Sequence, residues 1–158
     1  MKLISNIGSH PKELYNYFNL DQIDAFYSEE ILTTIYGNKW ISILIIQNDN
    51  AFFNVFKKNK ISNTEWFDIE PFLGYSGIIT NNNDEEFIFK ALNKYISFCR
   101  LERIVAELIR FNPLLNNHGT FNNNDLIKVS LAKPIIIVDC SLKTDEIIKQ
   151  FKSKSARY

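Results

Sequence analysis

The sequence has few of the residues that most often bind metals or form disulfides. Its 158 residues include two cysteines, two histidines and one methionine. His10 and His118 are far apart, and neither has a second histidine or a cysteine at the spacing of a zinc site. Cys99 and Cys140 are also isolated, each within an apolar segment, which favours buried free thiols and a reducing cytoplasm. The sequence therefore predicts no metal site and a cytoplasmic location.

An excess of charge and a long apolar run are also lacking. The chain has 18 Lys and Arg residues against 18 Asp and Glu residues, so it lacks the positive field that draws proteins to nucleic acids. Its apolar runs are far shorter than the ~20 residues of a transmembrane helix, and its first residues do not form a signal peptide. We expect no transmembrane segment and no strong nucleic-acid partner. A local basic patch stays open at Lys149, Lys152, Lys154 and Arg157.

Several nucleotide-binding and catalytic motifs are missing. The phosphate-binding loops G-x-G-x-x-G and G-x-x-x-x-G-K-S/T do not occur, and neither does the G-x-S-x-G nucleophile turn. The paired carboxylates Glu29-Glu30 and Glu85-Glu86 fall in the first turns of predicted helices, where they complement the helix dipole. Adjacent side chains on a helix diverge, which disfavours acid–base catalysis. The sequence assigns no cofactor and no catalytic residue.

The few glycines that are present draw attention to one stretch. Gly74 and Gly77 bracket Tyr75, shortly after Pro71. Glycine adopts positive φ without a Cβ penalty, and proline fixes its own φ, so a stiff loop is predicted that presents Tyr75 between two short strands. Loops held by a rigid scaffold often carry binding residues. The alternative is a plain turn with a partly buried tyrosine.

Hydrophobic periodicity predicts one mixed α/β (α+β) domain. Predicted helices cover approximately residues 11–19, Ser28–Tyr36, Asp84–Arg100, and a segment from Ser141 or Thr144 to the end of the chain. Predicted strands are Trp40–Gln47, Ala51–Lys57, Glu65–Ile69, Gly77–Thr80, Arg103–Arg110, Leu126–Leu131 and Ile135–Cys140, and Lys57–Lys60 is predicted to be a solvated turn. This order predicts a mixed sheet with helices on both faces.

Arg110 is a candidate binding residue because it ends an apolar strand directly before Phe111-Asn112-Pro113. A guanidinium group at a strand end, beside a loop, suits bidentate recognition of phosphate or carboxylate. The alternative is a structural ion pair with Glu107 or Asp68.

Four segments together resemble the FemAB-like transferases, which build peptidoglycan cross-bridges. That family's pattern is an acidic residue, a Pro-Tyr-Gly-Tyr-Gly-Gly-like loop and an Arg-Phe-His-Pro-Leu segment. The matching segments cover roughly residues 24–158, and they are Phe26-Tyr27-Ser28, Asp68 to Gly77, Glu107 to Asn116, and Ile137 to Leu142 leading to Lys154-Ser155-Ala156-Arg157. The chain departs from the pattern at Phe72, which replaces the first loop tyrosine, at the inserted Leu73, and at Asn112, where histidine is common.

The resemblance implies a GNAT-like fold with a mixed, mostly antiparallel central sheet flanked by helices. Residues 1–158 would form one such domain, the first of a tandem pair whose second domain is not in this chain. The resemblance places Asp68, Gly74, Tyr75, Arg110 and Asn112 near the groove for the acceptor substrate. It implies transfer of an acyl or aminoacyl group onto an amine of a cell-wall or glycan precursor. This chain would hold the acceptor and would be incomplete as an enzyme by itself.

Two other functions remain open. A non-catalytic GNAT-like binding or assembly module would use its last helix or a sheet edge to contact a partner or a second copy. A stand-alone acyl-CoA N-acetyltransferase is disfavoured because the Arg/Gln-x-x-Gly-x-Gly/Ala turn, whose backbone amides hold the CoA diphosphate, is missing. The possible partners are thus a peptidoglycan-precursor acceptor, a second GNAT domain or another copy of the chain.

Overall fold

The computed structural model describes residues 1–19, 24–70, 75, 77–113, 115–121, 125–131 and 141–150. Of Gln150, only the backbone is described. Gly74, the predicted strand Ile135–Cys140 and the end of the last predicted helix lie outside the described residues. Those predictions therefore stay predictions.

Within the described residues, six strands form one sheet. The strands are β1 (Lys2–Ile7), β2 (Ile41–Gln47), β3 (Asn50–Lys60), β4 (Phe67–Glu70), β5 (Ile79–Thr80) and β6 (Ile104–Glu107). Their order is β1-β2-β3-β4-β6, and β5 pairs with β3. Every pairing is antiparallel except that of β4 with β6. A mixed, mostly antiparallel sheet is confirmed.

The long strand β3 shares one of its edges between two short strands. Phe52 and Phe53 pair with β5, and Lys57–Lys60 pair with β4. Between these pairings, at residues 54–56, no described strand covers this edge. The backbone N–H of Val55 instead donates to Oδ1 of Asn54 over 2.9 Å, which satisfies a group that would otherwise lack a partner. The sheet therefore opens between β4 and β5, where the chain leaves and rejoins β3.

Helical segments cover both faces of the sheet, as predicted. The α-helices are α1 (Glu29–Tyr36), α2 (Glu85–Leu101) and α3 (Thr144–Gln150). One apolar core contains Phe87, Ile88, Ala91, Leu92 and Tyr95 of α2 with Ile43, Ile45, Phe52 and Phe56 of the sheet. The second core joins Leu14, Phe18, Tyr27 and Leu32 to Leu44, Phe53 and Val55 from the opposite face. Each fully buried large apolar side chain contributes about 1.5–3 kcal/mol, so both faces stabilise the fold.

Helix α2 has a sequence-encoded start. The carboxylate of Asp84 accepts hydrogen bonds from the backbone N–H groups of Glu86 and Phe87, over 3.0 and 3.2 Å. An aspartate in this position satisfies donors that have no partner within the helix. The predicted helix Asp84–Arg100 is therefore confirmed to within one residue at each end.

Two predictions, one for residues 11–19 and one for the lysine-rich segment Lys57–Lys60, are wrong. The predicted helix at residues 11–19 is a short 3-10 helix, Lys12–Asn16, held by bonds between residues three apart such as Leu14 N–H to Pro11 O. Lys57–Lys60 belongs to β3 and is not a turn, because β4 extends the pairing. Lys58 is also held by Glu102, with Nζ 2.8 Å from its carboxylate, and by the ring of Phe67.

The ends of the sheet also differ from the prediction. β1 was not predicted, and it forms because six residues pair with β2. Leu126–Leu131 does not form a strand in the part of the chain that is described. β6 is shorter than the predicted strand Arg103–Arg110, since its pairing with β4 stops at Glu107.

Candidate functional site

Segments distant in sequence meet in a cluster that we call the junction: Asp24, Phe26, Tyr27, Tyr75, Gly77, Ile109, Phe111 and Asn112. The hydroxyl of Tyr27 donates to the carbonyl oxygen of Gly77 over 2.9 Å, within the interior. The rings of Phe26 and Tyr75 make a T-shaped contact, with centroids 6.1 Å apart. Two of the segments that carry the FemAB resemblance, residues 26–28 and the glycine loop, are therefore in direct contact.

Gly77 brings a third segment, residues 109–111, into the junction. Its φ of +114° is a conformation that residues with a Cβ rarely adopt. A Cβ at this position would lie 2.6 Å from Cγ2 of Ile109 and 3.1 Å from Cδ1 of Phe111. Phe111 in turn stacks on the buried ring of Phe121, with centroids 5.7 Å apart. Only glycine allows the loop to approach residues 109–111 this closely.

Asn112 closes the junction from the other side. It is only 3% exposed, and its Nδ2 donates to the carboxylate of Asp24. A hydrogen bond from a buried amide to a charged acceptor is stronger than a bond between neutral groups. Asn112 therefore ties the segment after β6 to the residues that precede Tyr27.

The structure brings only some of the sequence-predicted site residues together. Tyr75 and Asn112 belong to the junction, whereas no described hydrogen bond joins Asp68 or Arg110 to it. Asp68 lies on β4 opposite Asn59, and its Oδ1 is buried without a hydrogen-bond partner.

Arg110 follows β6 with an exposed side chain. The four ion pairs among the described residues do not include it, so neither Glu107 nor Asp68 is its partner. The structural ion pair with Glu107 or Asp68 is therefore not observed, and the exposed guanidinium group has no ion-pair partner among the described residues.

A second polar cluster, which the sequence reasoning missed, lies on the α2 face of the sheet; we call it the Glu107 cluster. Nδ2 of Asn54 donates to Oε1 of Glu107 over 2.9 Å and lies 3.0 Å from the hydroxyl of Tyr95. That hydroxyl donates to Oε2 of Glu107 over 2.8 Å. Both carboxylate oxygens therefore accept from uncharged donors.

An irregularity in β6 turns Glu107 inward. Phe67 pairs with Ile104, but the next residue, Asp68, pairs with Ala106, so Val105 is an additional residue in β6. Because side chains alternate along a strand, this bulge lets both Ile104 and Glu107 face α2. Bulges often reorient side chains next to functional sites.

Burial controls the protonation of this cluster. Desolvation raises the pKa of Glu107 above its ordinary value, and the hydrogen bonds from Asn54 and Tyr95 oppose that shift. Burial also raises the pKa of the Tyr95 hydroxyl, and it raises the pKa of the neighbouring Cys99 thiol to about 12. Cys99 is a free thiol that stays protonated at neutral pH, which makes it a weak nucleophile.

The Glu107 cluster borders an open cavity of about 780 Å³ between α2, β6 and residues 126–130. Its walls include Leu92, Cys99, Ile104 and Phe111, so most of the lining is apolar. A cavity of this size, with a few convergent polar groups, is typical of small-molecule sites. One signal in the sequence could have identified the cluster: Asn54 and Glu107 are single polar residues within apolar strands, and buried polar groups require partners.

The described residues hold neither a cluster of metal ligands nor a membrane-spanning helix. Among those that the structure describes, no three His, Cys, Asp or Glu side chains lie close enough together to hold a metal ion. The described helices also lack the combination of length and hydrophobicity that crossing a membrane requires.

Comparison with known proteins adds no relative. No protein-family model matches the chain, and neither the curated proteins nor the solved structures compared with it gave a match. The resemblance to FemAB-like transferases therefore stays a prediction from the residues.

Proposed function

We propose that this chain is the acceptor-binding half of a FemAB-like acyltransferase that acts in the cytoplasm. It would hold a cell-wall or glycan precursor while a second GNAT-like domain brings the acyl or aminoacyl group to the precursor's amine. Most of the catalytic effect would come from positioning and from stabilising the developing oxyanion. The chain alone would bind the acceptor without transferring an acyl group.

The observation that supports this proposal is the junction. The loop with Tyr75 and Gly77, the segment with Phe26 and Tyr27, and the segment with Asn112 carry the resemblance, and they are in contact although they lie far apart in sequence. If the likeness of these short motifs arose by chance, there would be no reason for the three segments to be in contact.

Arg110 adds a recognition group that is adjacent in sequence to two residues of the junction. It lies between Ile109 and Phe111, which both contact the position of Gly77, and its exposed guanidinium group has no ion-pair partner among the described residues. Soluble peptidoglycan precursors carry a diphosphate and peptide carboxylates, the anions that guanidinium groups bind in a bidentate manner.

The experiment compares binding of a soluble UDP-linked muramoyl peptide to matched variants. Arg110→Ala should weaken binding about tenfold or more, since charge-assisted hydrogen bonds would be lost. Tyr75→Phe tests the phenolic hydroxyl of the loop. The control is Arg103→Ala, which removes an exposed arginine whose partner is Glu65 and should change the affinity less than about twofold. Equal losses in Arg110→Ala and Arg103→Ala would contradict a specific role for Arg110.

One observation favours the alternative of a non-catalytic assembly module. Three large apolar side chains are exposed around the end of α2 and β6, namely Leu101, Val105 and Leu108. Exposed apolar groups beside a strand can mark a protein interface. Sedimentation equilibrium distinguishes the two functions, because an assembly module should self-associate and lose that association in Val105→Lys.

A further inference from the structure

We propose that the cavity beside Glu107 binds a protonated amine attached to an apolar body, with the Glu107 carboxylate as the anionic partner. The proposal rests on the Glu107 cluster alone and does not depend on the function proposed above. Of the predicted acceptor residues that the structure describes, none lines the cavity, which shares Ile109 and Phe111 with the junction.

The charge of the Glu107 cluster favours a cationic ligand. Asn54 and Tyr95 supply two hydrogen bonds to the carboxylate but no positive charge. No ion pair with Glu107 occurs among the described residues. A partly buried carboxylate without an ion-pair partner is costly, and a cation that enters the site removes part of that cost.

The small number of acceptors in the cluster favours an ammonium group over a metal ion. A hard divalent metal needs several oxygen ligands, and the described residues contain no such group of carboxylates. An ammonium group needs a few acceptors, and Glu107 and Tyr95, whose carboxylate and hydroxyl are hydrogen-bonded to each other, both line the cavity. A primary amine is therefore the better match.

The rest of the cavity suits an apolar body. Its walls are mainly apolar, with Leu92, Ile104 and Phe111 among them, and its volume of about 780 Å³ accommodates more than an ammonium ion. The other titratable or charged groups in the lining are Tyr95, Cys99 and Arg100 from α2 and Lys128 from residues 126–130. An apolar body that carries one amine would use both the walls and the carboxylate.

The test is a nuclear magnetic resonance titration of the ¹⁵N-labelled chain with benzylamine and with benzyl alcohol, which has nearly the same shape and no charge. Benzylamine should shift the amide signals of β6 and α2 and bind about tenfold more tightly than the alcohol. Glu107→Gln should abolish this preference, because the amide keeps the size of the side chain and removes its charge. Cys99→Ala changes the same cavity wall without altering the charge, so it should keep the preference.

Folding of each variant is checked by its ¹⁵N spectrum. If Glu107→Gln does not fold, the pH dependence of the wild-type chain provides the second test. Benzylamine affinity should fall as acidification protonates Glu107, while benzyl alcohol affinity should stay constant. The proposal is overturned if neither compound binds, if both bind equally, or if the amine preference is retained in Glu107→Gln or is independent of pH.

Discussion

The hydroxyl group of Tyr27 donates a hydrogen bond to the carbonyl oxygen of Gly77, 50 residues further along the chain and 2.9 Å away. Both partners belong to the core side of the junction, and Tyr27 is almost completely buried. This bond fixes the point at which the loop after β4 returns to β5. The position of Tyr75, two residues before Gly77, therefore depends on a tyrosine in another segment.

Tyr27→Phe should lower the free energy of unfolding by about 1–3 kcal/mol, because a buried carbonyl oxygen would lose its partner while the apolar packing is retained. Urea denaturation of the two proteins measures the difference. Tyr15→Phe is the matched control, since Tyr15 is half exposed, and should have little effect. A change in Tyr27→Phe no larger than that of the control would show that the bond contributes nothing.

Gly77→Ala should destabilise the fold by more than the ~1 kcal/mol of an ordinary glycine substitution, since it combines a positive φ with a clash against Ile109. Two other glycines separate these causes. At Gly37 φ is positive, but a new Cβ would have no atom within 4 Å. At Gly119 φ is not positive and a new Cβ would not clash. Thermal unfolding should therefore rank the variants, with Gly77→Ala the least stable and Gly119→Ala near wild type. Equal stability of the three variants would refute the close approach.

The contact between Asp24 and Asn112 should appear as an energetic coupling. Single and double alanine variants at these positions should be non-additive by about 0.5–3 kcal/mol, as is usual for residues in one hydrogen-bonded pair. The control cycle uses Glu86 and Lys90, an exposed pair on α2 that should couple by only about 0.3–0.5 kcal/mol. Strict additivity at Asp24 and Asn112 would mean that the two segments are not held together there.

Glu107 should make stability depend on pH in a defined direction. Its pKa is raised in the folded state, so the folded chain binds the proton more tightly than the unfolded chain. Below the ordinary pKa of 4.5 this stabilisation is fully present, and it is lost as the pH rises through the raised pKa. Glu107→Gln cannot lose that proton, so its stability relative to wild type should increase with pH across this window. Urea denaturation at several pH values checks this prediction, and a constant or decreasing difference would contradict it.

The residues made some parts of the fold predictable and left others hidden. Helix α2 could be located because Asp84, a cap, precedes apolar residues at helical spacing. β1 could not, because its pairing with β2 depends on a partner nearly forty residues away. The sequence predicts a turn at the lysines of β3 because their compensating contacts come from Glu102 and Phe67, which are distant in sequence.

The junction and the Glu107 cluster show the same limit of prediction from the sequence. The junction could be approached from the sequence because its segments carry recognisable motifs, although their contacts could not be derived. The Glu107 cluster has no motif, since Asn54, Tyr95 and Glu107 come from three elements and meet only because a bulge turns Glu107 inward. Single polar residues in apolar strands remain the only local signal for such clusters.

The central claim is that this chain holds the acceptor and not the acyl donor. Paired calorimetric titrations of the same protein, one with a soluble UDP-linked muramoyl peptide and one with acetyl-CoA, test it most directly. We expect saturable binding of the precursor, weakened in Arg110→Ala, and no binding of acetyl-CoA. Clear binding of acetyl-CoA together with no binding of the precursor would contradict it.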